Sequence, residues 1–234
     1  MDIVFAVIAG YLWGGIPSAY LLARFKMGID IRKYGTGNLG ASNVITHVGR
    51  KSGFALGLFD GLVKGTGPVL VVASLGGSDW AMAAAGLAAV AGHNWSPYIK
   101  FMGGRGVTTS AGVFLGFLLL PELGMIILVA GIWGGVVRKN LALWLLLTMV
   151  ATPLMAFSLD RSGILDRSNE AVIMTLVVLG LLVAKRLVAN WQRPLQNEPL
   201  TRVLLYRFLL DRDIASKADW VSRRPDEPRE TVEA

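Results

Sequence analysis

The sequence predicts an all-α integral membrane protein with about seven transmembrane helices, its N-terminus outside and its C-terminus cytoplasmic. Three observations predict this. Of 234 residues, 53% are hydrophobic and the mean hydropathy is +0.54, too apolar for an ordinary soluble domain. Seven stretches (3–23, 53–75, 80–97, 107–120, 122–137, 140–159 and 170–189) carry few charges, and roughly 20 apolar residues cross a bilayer as a helix. Basic residues collect in alternate loops, the bias that orients membrane chains. Residues 1–190 thus read as one transmembrane helical domain with a cytoplasmic-face site, and 191–234 as a cytoplasmic tail.

The first span reads as a retained helix. Asp2 is its only early charge, and no small-residue cleavage site precedes the next loop. That loop carries Arg24, Lys26, Arg32, Lys33, Arg50 and Lys51. Lys100 and Arg105 follow the third span, Arg138 and Lys139 the fifth, and ten basic residues lie beyond position 184. The opposite loops hold Asp79, Glu122 and, over 160–169, only Arg161 and Arg167 as bases. Basic loops stay in the cytoplasm, so the number of crossings is odd. The net charge of +7 is a topology signal with some attraction to anionic lipid headgroups, and gives no reason to expect a nucleic acid partner.

The unusual polar sequence falls on that cytoplasmic side. "GTGNLGASN", residues 35–43, supplies flexible backbone at Gly35, Gly37 and Gly40 and small polar groups at Thr36, Asn38, Ser42 and Asn43. Successive free N–H groups make an anion-binding concavity. A plain connector rich in turn formers has the same composition. "DGLVKG" sets Asp60 and Lys64 four apart, on one helical face inside a span. Intramembrane charges pair with one another or face a wet cavity. Either Asp60 and Lys64 neutralise each other, or Asp60 positions a Lys64 that points into a polar site. "GHNWSPYIKFMGGRG", residues 92–106, brings His93, then Gly103, Gly104 and Arg105 before the next span. Glycines opening a helix form an anion site, and Arg105 adds donors suited to phosphate. Trp95, Tyr98 and Phe101 suit an interfacial belt.

Other chemistries are not supported. There is no cysteine for disulfide or thiolate work, and two histidines do not make a zinc site. There is no GxxxxGK[ST] and no evident Ser-His-Asp set. Two glycine-rich cradles, Lys64 and Arg105 suit the binding of one or two phosphates beside lipid. An anion transporter is the competing class, but the polar groups are one-sided and no pair of broken helices recurs in two halves. The tail reads as a short amphipathic helix on the membrane surface, with Val203, Leu204, Leu205, Phe208 and Leu209 against Arg202, Arg207, Asp211 and Arg212. Beyond it the composition is that of a disordered end. Gly86, Gly112, Gly116, Gly131, Gly134 and Gly135 suit close helix packing or a self-association face, and leave the oligomeric state open.

In order and spacing, "GTGNLGASN", "DGLVKG" and "GHNWSPYIKFMGGRGVTT" resemble the motifs of the bacterial acyl-phosphate-dependent glycerol-3-phosphate acyltransferases, whose patterns read close to GSGNxGATN, DxxKG and GHxxPxxxxFKGGKGVAT. The resemblance covers about residues 5–190. It implies a multi-pass enzyme of the bacterial cell membrane, working among membrane lipids, that moves a fatty acyl group from acyl phosphate to the 1-hydroxyl of glycerol 3-phosphate. The products would be lysophosphatidate and inorganic phosphate, the first step of phospholipid synthesis. The donor is already activated, so neither cofactor nor metal is implied. Catalysis then consists of alignment and stabilisation of developing charge. Carried over, Thr36, Asn38, Lys64 and His93 are expected to be catalytic. Gly37, Gly40, Ser42, Asn43, Gly103, Gly104, Arg105 and Asn190 are expected to hold substrate phosphate, with Asp60 positioning. Either the acceptor's own phosphate or His93 takes the hydroxyl proton.

The chain departs from the pattern at several places. Thr36 stands for Ser, Ser42 for Thr and Arg105 for Lys, each keeping the chemistry. Thr46 stands for an Arg and Met102 for a Lys, and a C-terminal HRxNIxRL becomes "RLVANWQRP", which keeps Asn190 and Arg193 but has no histidine. Each charge-assisted bond lost from a phosphate site costs about 1.5–3 kcal/mol. His47, Arg50 and Lys100, or Lys185 and Arg186 at the last span, are the cations placed to compensate. A changed substrate, or a homologue that only binds lipid phosphate, is the other outcome of these losses.

Overall fold

The computed structural model describes residues 2–165, 168–191 and 199–222, and these are helical throughout with short connections. Each of the seven expected spans overlaps helix, though not over its whole length. The first is α1 (Ile3–Gly15) followed by α2 (Ser18–Met27). The second is α4 (Arg50–Leu58) and α5 (Gly67–Ser74), joined by a π-helical stretch, Phe59–Thr66. Then come α6 (Asp79–Asn94), α7 (Val107–Gly116), α8 (Leu120–Met125) running into a π-helical Ile126–Val137, α9 (Leu141–Arg161) and α10 (Asn169–Val188). The short α3 (Ala41–His47) lies in the first polar loop, and α11 (Leu200–Leu210) and α12 (Lys217–Val221) lie in the tail.

Five helical runs, Ile3–Met27, Arg50–Ser74, Leu120–Val137, Leu141–Arg161 and Asn169–Val188, are long and apolar enough to cross a membrane. Val4, Phe5, Leu128 and Leu154 on these runs are more than half exposed, as lipid-facing side chains are. α6 has 16 residues and α7 only 10, so α7 rises about 15 Å. The expected span over 107–120 is thus corrected to a helix that ends at Gly116, followed by a turn in which Leu118 has φ 54°.

Small residues let the central helices touch. A Cβ on Gly10 or Gly14 would collide with the α6 backbone at Ala85 or Ala89, and one on Gly92 with Tyr11 of α1. Gly65 and Gly112 likewise press the π-helical stretch onto α7. Of the glycines expected to pack closely, Gly86, Gly112, Gly116 and Gly134 do, while Gly131 and Gly135 have only ordinary contacts. The main apolar cluster joins Val69, Val90, Phe114, Ile126, Met149 and Val178 from six helical segments.

The first span is broken at Ile16-Pro17. Pro17 has no N–H, and Ile16 adopts φ −51°, ψ 119°, outside the helical region. The break turns the carbonyls of Gly15 and Ile16 away from the helical ladder.

The tail docks on the bundle. Arg186 of α10 donates to Phe208 O (3.0 Å) and Ala142 O (2.9 Å). Arg207 of α11 donates to Leu187 O (2.9 Å) and pairs with Asp213 (2.6 Å). Arg207 is buried beside Val203, whereas Leu204, Leu205 and Phe208 are exposed. The expected two-faced helix therefore turns its polar Arg207 inward and its leucines out. Arg193 and the end of the chain from 223 lie outside the described residues.

Candidate active site

The freed carbonyls of the first span are the floor of the site. Lys64 Nζ donates to Ile16 O at 2.7 Å, and Ser96 Oγ donates to Gly15 O at 2.5 Å. Ser18, at the start of α2, donates through Oγ to Asp60 Oδ1 at 2.7 Å. The π-helical stretch that carries Asp60 and Lys64 aims both side chains at this break, and both are almost fully buried. Inserted π turns often mark functional sites.

Lys64 has three donors and four nearby acceptors, Ser18 Oγ at 3.5 Å being the most distant. Besides Ile16 O, its ammonium lies 3.1 Å from His93 Nδ1 and 3.4 Å from Asp60 Oδ1. An ammonium cannot accept, so Nδ1 of His93 is the acceptor and the ring proton sits on Nε2. Nε2 in turn lies against Gly104, where any Cβ would overlap it. Gly104 N–H donates to His93 O at 3.0 Å, which closes the loop back onto its own motif.

The glycine loops meet here. Leu39 N–H points at Gly103 O across 3.5 Å, linking the first motif to the third. Ser18, Leu39, Lys64, His93, Ser96, Gly103 and Gly104 line one cleft with a volume of about 10 Å³. That is close to the least that holds one water.

The remaining expected site residues fall into two groups. Asn38 is buried; its N–H donates to Thr36 Oγ1 (3.2 Å), and its Oδ1 has no hydrogen-bond partner. Gly37 has φ 65°, a left-handed conformation, and Gly40 precedes α3 in extended geometry. Ser42 is exposed on the first turn of α3. None of these residues lines the cleft itself; Gly37 N–H donates to Tyr34 O (2.9 Å), and the loop joins the cleft through Leu39.

Three others are engaged with partners within the chain. Asn43 spends its amide nitrogen on Ile31 O, Tyr34 O and Asn38 O at 3.3, 3.1 and 3.1 Å, so it shapes the loop. Asn190 holds Gly103 by two reciprocal bonds, accepting from its N–H (2.9 Å) and donating to its carbonyl (3.0 Å). Arg105 turns away. Its side chain lies in a second cleft with Leu145, Met149, Leu182 and Arg186, donates to Lys185 O (2.8 Å) and pairs with Asp211 of the tail (2.9 Å).

Sequence reasoning missed Ser18 and Ser96, and named Lys185 only as a compensating cation. Pro17 inside an apolar span was the available signal for the first, since a broken helix marks where backbone is reused. The departures are also explained locally. Met102 packs against the buried cluster of Ala19, Ile31 and Ile99, and Thr46 is exposed with its hydroxyl on Ser42 O (3.1 Å). Among the compensating cations, His47 sits under Tyr34, while Arg50 and Lys100 are exposed.

Comparison with known proteins gives a consistent picture. The family model described as glycerol-3-phosphate acyltransferase matches residues 4–197. The chain is 37% identical over 227 residues to "Glycerol-3-phosphate acyltransferase 5" of Dehalococcoides mccartyi, covering 95% of each protein. It is 40% identical over 184 residues to the glycerol-3-phosphate acyltransferase of Geobacter sulfurreducens, covering 79% of this chain and 89% of that one. A crystal structure of an integral membrane glycerol 3-phosphate acyltransferase in its glycerol 3-phosphate form superposes with a TM-score of 0.68 at 29% identity, covering 79% of this chain and 88% of that one. The lysophosphatidic acid form superposes with a TM-score of 0.67 at 27% identity, covering 89% and 97%.

Proposed function

The chain belongs to the glycerol-3-phosphate acyltransferase family, and from that premise we propose how its own residues carry out the transfer. It is a membrane-embedded acyltransferase that acylates glycerol 3-phosphate. Its donor is an acyl phosphate drawn from the bilayer, its acceptor atom the 1-hydroxyl, and its products lysophosphatidate and inorganic phosphate.

The observation that carries this reading is the meeting of Lys64, His93, Gly103 and Gly104 in one cleft at the helix break. Thr36 and Ser42, with the N–H of Gly40, receive phosphate oxygens, while the N–H groups of Gly37, Gly103 and Gly104, held by Tyr34 O, Asn190 Oδ1 and His93 O, shape the walls around them. The free Oδ1 of Asn38 accepts a glycerol hydroxyl. Lys64 orients His93, and the Nε2–H of His93 donates to the oxyanion or the departing phosphate. In that tautomer Nε2 is no base, which supports the acceptor's own phosphate as taker of the hydroxyl proton. Asp60 keeps Lys64 charged and in place. Asn43, Arg105 and Asn190 act by shaping the loops.

Seven crossings, with the N-terminus outside and the C-terminus cytoplasmic, put every basic loop and this cleft on one face of a bacterial inner membrane. Residues 1–190 then form the catalytic membrane domain and 191–234 a cytoplasmic tail, of which α11 contacts the bundle.

Phosphate release by purified protein supplied with palmitoyl phosphate, with and without glycerol 3-phosphate, tests the reading. Acceptor-dependent release that is lost in Lys64→Ala supports it. Release indifferent to the acceptor, from folded protein in lipid, defeats it and turns the search to other acceptors.

A further inference from the structure

Among the described residues, the proposed chemistry leaves one fully buried cation without a task. Lys185 lies in the last turn of α10, with nothing of it exposed. Its ammonium donates to Asn94 O, donates to Asn190 Oδ1 at 2.5 Å, and lies 5.3 Å from the centroid of the Trp95 ring. Two oxygens and an aromatic face thus take its three donor directions. Burying an ammonium is expensive, and capping a helix end does not require it.

The pairing with Asn190 explains the expense. A side-chain amide can be turned over, exchanging its oxygen and nitrogen, at little steric cost. Asn190 must present oxygen to Gly103 N–H (2.9 Å) and nitrogen to Gly103 O (3.0 Å). Turned over, it would set N–H against N–H. An ammonium only donates, so Lys185 accepts one orientation of that amide and rejects the other. Lys185 also grips Asn94, the neighbour of His93, and its own carbonyl takes Arg105 Nη1. It therefore ties the stretch that carries His93 to the loop that carries Gly103 and Gly104.

We propose that Lys185 is a positioning residue for acyl transfer: it fixes the orientation of the Asn190 amide and, through it, seats Gly103 and Gly104 against His93. This rests on the reading of the cleft as the reacting site. Lys185 lies five positions before Asn190, next to the place where the pattern's histidine is missing.

The test uses the full chain in lipid, with Lys185→Met, Asn190→Ala, the double variant, and Lys185→Gln, which keeps a donor. Three quantities are measured: kcat and KM for glycerol 3-phosphate, hydrogen exchange at Gly103, and the unfolding temperature. Lys185→Met is expected to lower kcat at least tenfold with KM changed less than threefold, and to speed Gly103 exchange about as much as Asn190→Ala does. The double variant should be no worse than the poorer single, and Lys185→Gln should regain part of kcat. Loss of unfolding temperature with kcat and Gly103 exchange unchanged would overturn the proposal, as would effects that multiply in the double variant. Wild-type protein without acceptor-dependent phosphate release would defeat the reading of the cleft, while Gly103 exchange would still report the link from Lys185 by itself.

Discussion

Lys64 Nζ stands 3.1 Å from His93 Nδ1, so the second and third motifs are joined by one hydrogen bond whose direction sets the histidine tautomer. Asp60, Ser18 and the broken first helix hold that bond in place. The pair is buried.

His93 is expected to work as a donor. His93→Gln, which can keep an N–H near the Nε2 position, should retain more activity than His93→Ala. The alanine variant should lose about 10²–10³ in kcat, the usual worth of one such donor. Equal loss in both, together with a pH–rate profile that loses a limb in each, would instead mark His93 as the base.

Asp60 stabilises a buried ammonium. Asp60→Ala should cost about 3–5 kcal/mol of stability, because it strands the Lys64 charge. Replacing both, as Asp60→Leu with Lys64→Met, should restore much of the stability and none of the activity. Thermal unfolding in lipid alongside phosphate release separates the two effects. A double variant as unstable as Asp60→Ala would contradict this account of the pair.

Gly104 is required by the space His93 fills. Gly104→Ala should cost roughly 10²-fold in kcat, the penalty of displacing a reacting group by about 1 Å. Gly180 faces open space in α10, so Gly180→Ala is the matched control and should keep wild-type kcat. Turnover by Gly104→Ala equal to the control would show that His93 does not need this contact.

Arg105 and Asp211 should couple. Their side chains are 10% and 25% exposed, so the ion pair keeps part of its strength. A double-mutant cycle on unfolding is expected to give a coupling of about 0.5–3 kcal/mol. If Arg105 serves mainly to dock the tail, Asp211→Asn and Arg105→Ala should change KM for glycerol 3-phosphate alike. A rise in KM confined to Arg105→Ala would return Arg105 to direct phosphate binding.

The apolar spans and the three polar motifs were legible because composition and spacing carry them. Lys64 and Asp60 four apart, and glycines before a helix, have the same meaning in any tertiary setting. The first-span break was less legible. Pro17 announces a kink, but that Ile16 O serves Lys64 depends on how the π-helical stretch crosses α1. The direction of Arg105 was not legible at all, since a residue at a helix start can point to either side of it. Asp211, which decides the matter, lies more than a hundred positions downstream. The shortness of α7 was masked by Phe117, Leu118 and Leu119, which are as apolar as a span yet form a turn.

The grip of Asn190 on Gly103 also puts a clock on biogenesis. The two residues are 87 positions apart. At about 5–20 residues per second of synthesis, the glycine loop emerges roughly 4–17 s before the residue that holds it. For that interval the loop of Gly103 lacks the residue that holds it, whereas the bonds of Lys64 to Ile16, Asp60 and His93 join only residues already made.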